Sequence, residues 1–170
     1  TPACSAFAGS RKPSSTHTKE MEKLVDILHR IGVADAEPEG VYDALTTIDG
    51  LAGWWTTDTT GDPTPGGTIA FRFPPGGFDM KVLSSEPGEG VTWEVVDGPP
   101  EWIGTTVEWR LRQDDGWTTV LFAHRGWAEP VEFMHHCSTK WATFLLSLKS
   151  LLEAGEGAPS PNDVRIAYPD

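Results

Sequence analysis

The sequence predicts an α+β fold in which a curved antiparallel sheet wraps around one long C-terminal helix. Three observations predict it. An alternating strand opens the patterned part of the chain, five more alternating segments fill residues 66 to 127, and one apolar stripe at helical spacing runs on to Gly155. A sheet with one apolar face and a helix with one apolar stripe bury both by packing against each other.

The elements follow in order. In "KLVDILHRIGVAD" (23–35), Val25, Ile27, His29, Ile31 and Val33 share one face, with Asp26 and Arg30 on the other. That period of two is a half-buried strand. "AEPEGVYDALTTIDGLAGWW" (36–55) changes to helical spacing at Val41, Leu45 and Ile48. Pro38 and Glu39 suit a first turn. Gly50 and Gly53 divide the stretch into two short helices, the second ending in Trp54 and Trp55. "GGTIAFRF" (66–73) is the next strand, and "GGFDMKVLSSE" (76–86) follows with Phe78, Met80 and Val82 on one face. "VTWEVVD" (91–97) turns Val91, Trp93 and Val95 inward, and "GPPEWIG" (98–104) is a loop. "TTVEWRLRQ" (105–113) and "WTTVLFAHRGW" (117–127) flank a "DDG" hairpin signal, with Val107, Trp109 and Leu111 facing inward on one and Val120, Phe122 and His124 on the other. Short links between these strands imply antiparallel pairing. From Pro130 onward, Met134, Cys137, Trp141, Phe144, Leu148 and Leu151 recur every three or four residues, and Gly155 marks the stop. The residues by themselves yield six strands, two short helices after the first strand, and the long helix.

The length of 170 residues suits one domain, expected over 21–156, with 1–20 a disordered extension and 157–170 an extended tail. The net charge is −12, and residues 1–20 carry +2 through Arg11, Lys12, Lys19 and Glu20, so the remainder carries −14. A body this acidic repels phosphate backbones and anionic lipid, which excludes nucleic acid and membrane surfaces as expected partners. No apolar run approaches the roughly 20 residues of a membrane span. Two cysteines, Cys4 and Cys137, make no disulfide framework and fit a reducing, cytoplasmic compartment.

The stretch "EFMHHCSTKW" (132–141) gathers two histidines, a cysteine and a serine. On a helix, Met134, Cys137 and Trp141 face inward, while His135 and His136 diverge from that stripe. Neither an i, i+4 pair nor a CxxC turn is present, so the spacing does not suit a structural metal. No metal and no cofactor is expected. Cys137 reads as a small buried hydrophobe. His29 and His124 stand on apolar strand faces, either as satisfied core groups or as polar anchors or acid/base groups in a cavity. Eight tryptophans are the other anomaly. They read as a large core or as the walls of a cavity between sheet and helix, with Trp54, Trp55 and Trp102 near its mouth.

"DILHRIGV" (26–33), "VYDALTTIDGLAGWW" (41–55), "GGTIAFRF" (66–73), "FAHRGW" (122–127) and "HCSTKWATFLLSLKSLLE" (136–153) carry a resemblance. The chain resembles the START/Bet v 1-like (SRPBCC) superfamily over about 25–166. Within it, the chain is similar to the family named after the activator of the heat-shock-protein-90 ATPase. The resemblance implies a helix-grip fold, with a seven-stranded antiparallel sheet on a C-terminal helix. Members of the superfamily include lipid carriers, hormone receptors, polyketide cyclases and oxygenase subunits. The Rieske and iron ligands of the oxygenase branch have no counterpart in this sequence. The co-chaperone branch uses an additional N-terminal domain, where this sequence has 20 residues.

The function expected is a binding domain that holds a hydrophobic or aromatic small molecule between sheet and helix. Its lining set is His29, Trp54, Trp55, Met80, Trp93, Trp102, Trp109, Phe122, His124, Met134, Cys137 and Trp141. One alternative is an enzyme of cyclase, aldol or dehydratase type with His29 or His124 as acid/base. The other is a chaperone-linked interaction module. The assembly is open, with a homodimer among the options.

Overall fold

The structure, a computed structural model, describes residues 24–168. The extension expected over 1–20 lies outside the described residues. The elements are β1 (Val25–Ala34), α1 (Pro38–Thr46), α2 (Ile48–Trp54), β2 (Thr59–Gly61), β3 (Thr68–Phe73), β4 (Gly76–Glu86), β5 (Gly90–Asp97), β6 (Thr106–Asp114), β7 (Trp117–Trp127) and α3 (Glu132–Ala154). The strands form one antiparallel sheet in the order β1-β7-β6-β5-β4-β3-β2. The seventh strand, beyond the six that alternation reveals, is β2. Its three residues, Thr-Thr-Gly, pair with β3 through Thr59 opposite Phe71 and hold no apolar side chain to signal it.

Irregular register curves the sheet. Shifts fall between Val25 and Ile27 where β1 meets β7, and at Asp79/Met80 and Val82/Ser84 where β4 meets β5. Such bulges bend a strand and increase its twist. The β6–β7 hairpin turns through Asp115 (φ 45°) and Gly116 (φ 86°). Two successive positive φ angles match the twist of the flanking strands, as the DDG signal predicts.

The helix α3 lies in the concave face. Met134, Cys137, Trp141, Phe144, Leu145 and Leu148 are buried on it, facing Met80, Val82, Trp93, Trp109, Val120 and Phe122 of the sheet. Glu132 in its first turn favours the positive end of the helix dipole. Gly155, at φ 80°, ends it in the left-handed conformation, and its N–H donates to the Leu151 carbonyl at 3.0 Å. Thr47 ends α1 and caps α2, its hydroxyl oxygen accepting the Gly50 N–H at 3.1 Å. The Trp54 indole donates to the Ala44 carbonyl at 2.9 Å and fastens α2 against α1.

The C-terminal half of α3 also reaches the free edge of β1. The Lys149 ammonium donates to the Gly32 carbonyl, and the Glu153 carboxylate accepts the Ala34 N–H at 3.2 Å. Lys149 and Glu153 pair with each other at 2.9 Å.

After Gly155 the chain folds back over the domain. Buried Ser147 donates to the Trp54 carbonyl and accepts the Ala158 N–H, both at 2.7 Å. At Gly157 a side chain would stand 2.4 Å from the Gly53 carbonyl oxygen, so this crossing needs glycine. Ser160 then forms a parallel bridge to Thr56, donating to the Trp55 carbonyl at 2.8 Å and accepting the Thr57 N–H at 3.1 Å.

Candidate functional site

Aromatic rings fill the space between sheet and helix. Trp55 stacks on Trp54 (5.7 Å between centroids, 7° between planes) and on Trp93 (6.2 Å, 6°), and it packs against Phe71 at 4.2 Å and Trp141 at 5.0 Å. Trp109 meets Trp54, Trp93 and Phe122 edge to face at 5.4, 5.8 and 4.9 Å. These are the separations of rings in direct contact. The indole N–H groups of Trp93, Trp109 and Trp127 find no hydrogen-bond partner among the described residues.

His124 is fully buried within this array, and its tautomer follows from its partners. Its Nδ1 lies 3.2 Å from the Trp141 indole nitrogen, which can only donate, so Nδ1 carries no proton. Its Nε2 lies 2.8 Å from the Thr105 hydroxyl, whose own proton goes to the Trp102 carbonyl at 2.5 Å. Nε2 therefore donates. Both nitrogens of the neutral ring are engaged, and burial depresses its pKa to about 3. His29 is half-buried. Its Nε2 donates to the Ser138 carbonyl at 3.1 Å, next to the Ser138 hydroxyl at 3.2 Å, and its ring stacks on Phe122 at 6.0 Å.

A cleft of about 420 Å³ opens where the aromatic array reaches the surface. Trp55, Trp102 and Trp141 form its floor. One wall is the β3–β4 hairpin, with Phe73, Pro74, Pro75 and Phe78, and the opposite wall is α3, with Phe133, His136, Cys137, Lys140 and Phe144. The C-terminal segment roofs it with Ser160, Pro161, Asp163 and Arg165. Phe78 stacks on Trp102 at 4.2 Å and 15°, and Trp102 on Trp141 at 5.8 Å and 15°, so the stacked rings form a continuous apolar lining. Lys140 latches the roof, pairing with Asp163 at 2.7 Å and donating to the Val164 carbonyl at 3.0 Å. His136 stacks on Phe133 at 6.2 Å. Burial pushes the Cys137 thiol up to about 12, although the Trp102 indole beside it pulls the other way. The sulfur is thus a neutral, apolar part of the wall.

Of the twelve residues that the sequence assigns to a ligand site, Trp55, Trp102, Cys137 and Trp141 line this cleft. His29, Trp54, Met80, Trp93, Trp109, Phe122, His124 and Met134 do not; apart from half-buried His29, they lie in the packed core. Trp54, expected near a mouth, is fully buried and bound to Ala44. The hairpin prolines, the α3 flank and the roof were not legible as a site. They meet only through the fold, and the roof carries no apolar period. His135 is exposed, while His136 lines the cleft. Among the described residues, no group of three or more His, Cys, Asp and Glu side chains could hold a metal ion, and no helix is long and apolar enough to cross a membrane.

Comparison with known proteins places this geometry. Residues 35–153 match the model of the family described as activator of Hsp90 ATPase homolog 1-like protein. No curated protein matches significantly. Among solved structures, the chain is similar to the Aha1 dimer of Colwellia psychrerythraea, with 48% identity over 78% of this chain and 99% of that one and a TM-score of 0.73. It also shares its fold with CalU16 of Micromonospora echinospora (22% identity, 81% of this chain and 78% of that one, TM-score 0.64). The same holds for BH1534 of Bacillus halodurans (20% identity, 78% of this chain and all of that one, 100%, TM-score 0.63).

Proposed function

Since the chain belongs to the activator of Hsp90 ATPase homolog 1-like family, we propose that it is a binding domain for a hydrophobic or aromatic small molecule. The observation that carries this reading is the cleft of about 420 Å³, where the stacked rings of the core become the floor of an open site. Its size and mostly apolar walls fit the usual small-molecule site, in which a few polar groups orient the ligand. The cleft supplies shape and apolar surface, and His124 is held neutral outside it. This differs from the site expected between sheet and helix, because the ligand would rest against the end of the Trp array instead of within it. The free, buried thiol of Cys137 suits a reducing, cytoplasmic setting.

The test uses N-phenyl-1-naphthylamine, a neutral aromatic probe that brightens on leaving water. It should bind saturably at one site per chain. His136→Trp fills the α3 side of the cleft and should weaken binding at least about tenfold, or about 1.4 kcal/mol. No saturable signal, or equal binding by the variant, would defeat the reading. A homodimer is proposed alongside, supported by the dimeric state named for the 48% identical relative. Sedimentation giving a monomer at tens of micromolar would remove it.

A further inference from the structure

The roof of the cleft lies outside the family match. That match ends at residue 153, whereas Ser160, Pro161, Asp163 and Arg165 come from the segment that follows. This segment is tied down at Ser147, Trp55 and Lys140, so its backbone holds Arg165 at the edge of the cleft.

The two charges that the roof brings are not equivalent. The Asp163 carboxylate is taken up by Lys140, 2.7 Å away, and the two side chains are only 16% and 20% exposed. Arg165 lines the same cleft and makes no ion pair among the described residues. Of the charged residues that line the cleft, Lys140 and Asp163 face each other in an ion pair, and Arg165 is the third. The chain as a whole carries −12, so a guanidinium at the rim of this aromatic cleft stands out against the acidic whole. A guanidinium suits this place. It is planar, stacks on rings and binds a carboxylate through two parallel N–H groups. Low-dielectric ring walls focus the potential of the charge above them.

We propose that the cleft selects a flat aromatic acid, with its rings against the apolar floor and walls formed by Trp102, Trp141 and Phe144 and its carboxylate on Arg165. The inference rests on the binding reading above and adds the chemical class of the ligand. The family-matched walls supply the apolar body of the site, and the C-terminal roof supplies the charge that discriminates.

Calorimetry with 2-naphthoate and 2-naphthamide tests this on the full chain. The two probes share their rings and differ in the negative charge. The wild type should bind naphthoate about tenfold more tightly than naphthamide. Arg165→Gln should abolish that preference and leave naphthamide binding unchanged. Arg110→Gln, which removes an exposed charge on the outer face of β6, should keep the preference. Equal affinity of the two probes for the wild type, or a preference that survives Arg165→Gln, overturns the inference while binding of naphthamide upholds the cleft. If neither probe binds the wild type, the cleft reading itself fails and the inference with it.

Discussion

Acid should destabilise this protein through His124 before its carboxylates titrate. The folded ring has its pKa depressed to about 3 by burial, against an ordinary value of 6.5. The sign follows from proton counting. Below 6.5 the unfolded chain binds a proton at this ring and the folded chain does not, until the pH falls to about 3. Stability is therefore complete above 6.5 and declines with falling pH, by about 1.4 kcal/mol per unit. At about pH 5 the loss is about 2 kcal/mol, and over the whole interval about 5 kcal/mol. Urea unfolding at about pH 7 and about pH 5 should show it, compared with His124→Gln. Glutamine offers a donor and an acceptor but cannot titrate, so the variant starts less stable and loses about 2 kcal/mol less between the two conditions. Equal losses in both proteins would refute the reasoning. Should the variant not fold, the wild-type ring still decides. Nitrogen NMR should find the Nε2–H tautomer unchanged at about pH 5, and titration near the ordinary value would refute the account of its partners.

Two further outcomes concern the cleft. Gly157→Ala drives a methyl group to 2.4 Å from the Gly53 carbonyl, an overpacking that costs about 1–3 kcal/mol locally. The Ser160 and Thr57 amides should then exchange at least about tenfold faster with solvent deuterium, while β7 amides keep their rates; no change at Ser160 would count against a seated roof. Cys137, with its thiol pushed up to about 12, should react with Ellman's reagent at least about a hundredfold more slowly in the native protein than in urea. Comparable rates would contradict its burial.

The scaffold was legible because burial leaves a period. Val107 and Trp109 on β6, and Met134, Cys137 and Trp141 on α3, take the faces that their spacing assigns them. β2 escaped because three residues without an apolar side chain have no period to read. The cleft escaped for a different reason. Inward-facing aromatics look alike in sequence whether they fill a core or wall a cavity, and only packing separates Trp93 and Trp109 from Trp102 and Trp141. Lys140 and Asp163 stand 23 positions apart with no pattern between them, yet their ion pair closes the roof. His124 was visible as a polar group on an apolar face. Its locked tautomer depends on Thr105 and Trp141, which come from different elements.

The hold of α3 on the edge of β1 bears on what a second copy of the chain can do. An open sheet exposes a row of unpaired amides and carbonyls at each border, a template for runaway strand addition. Here Lys149 and Glu153 already occupy the Gly32 carbonyl and the Ala34 amide, while the opposite border is the three-residue β2. The C-terminal end of β1 is thus closed to a further strand. Association through the side chains of a shared face, by contrast, would give a closed pair instead of a growing fibre.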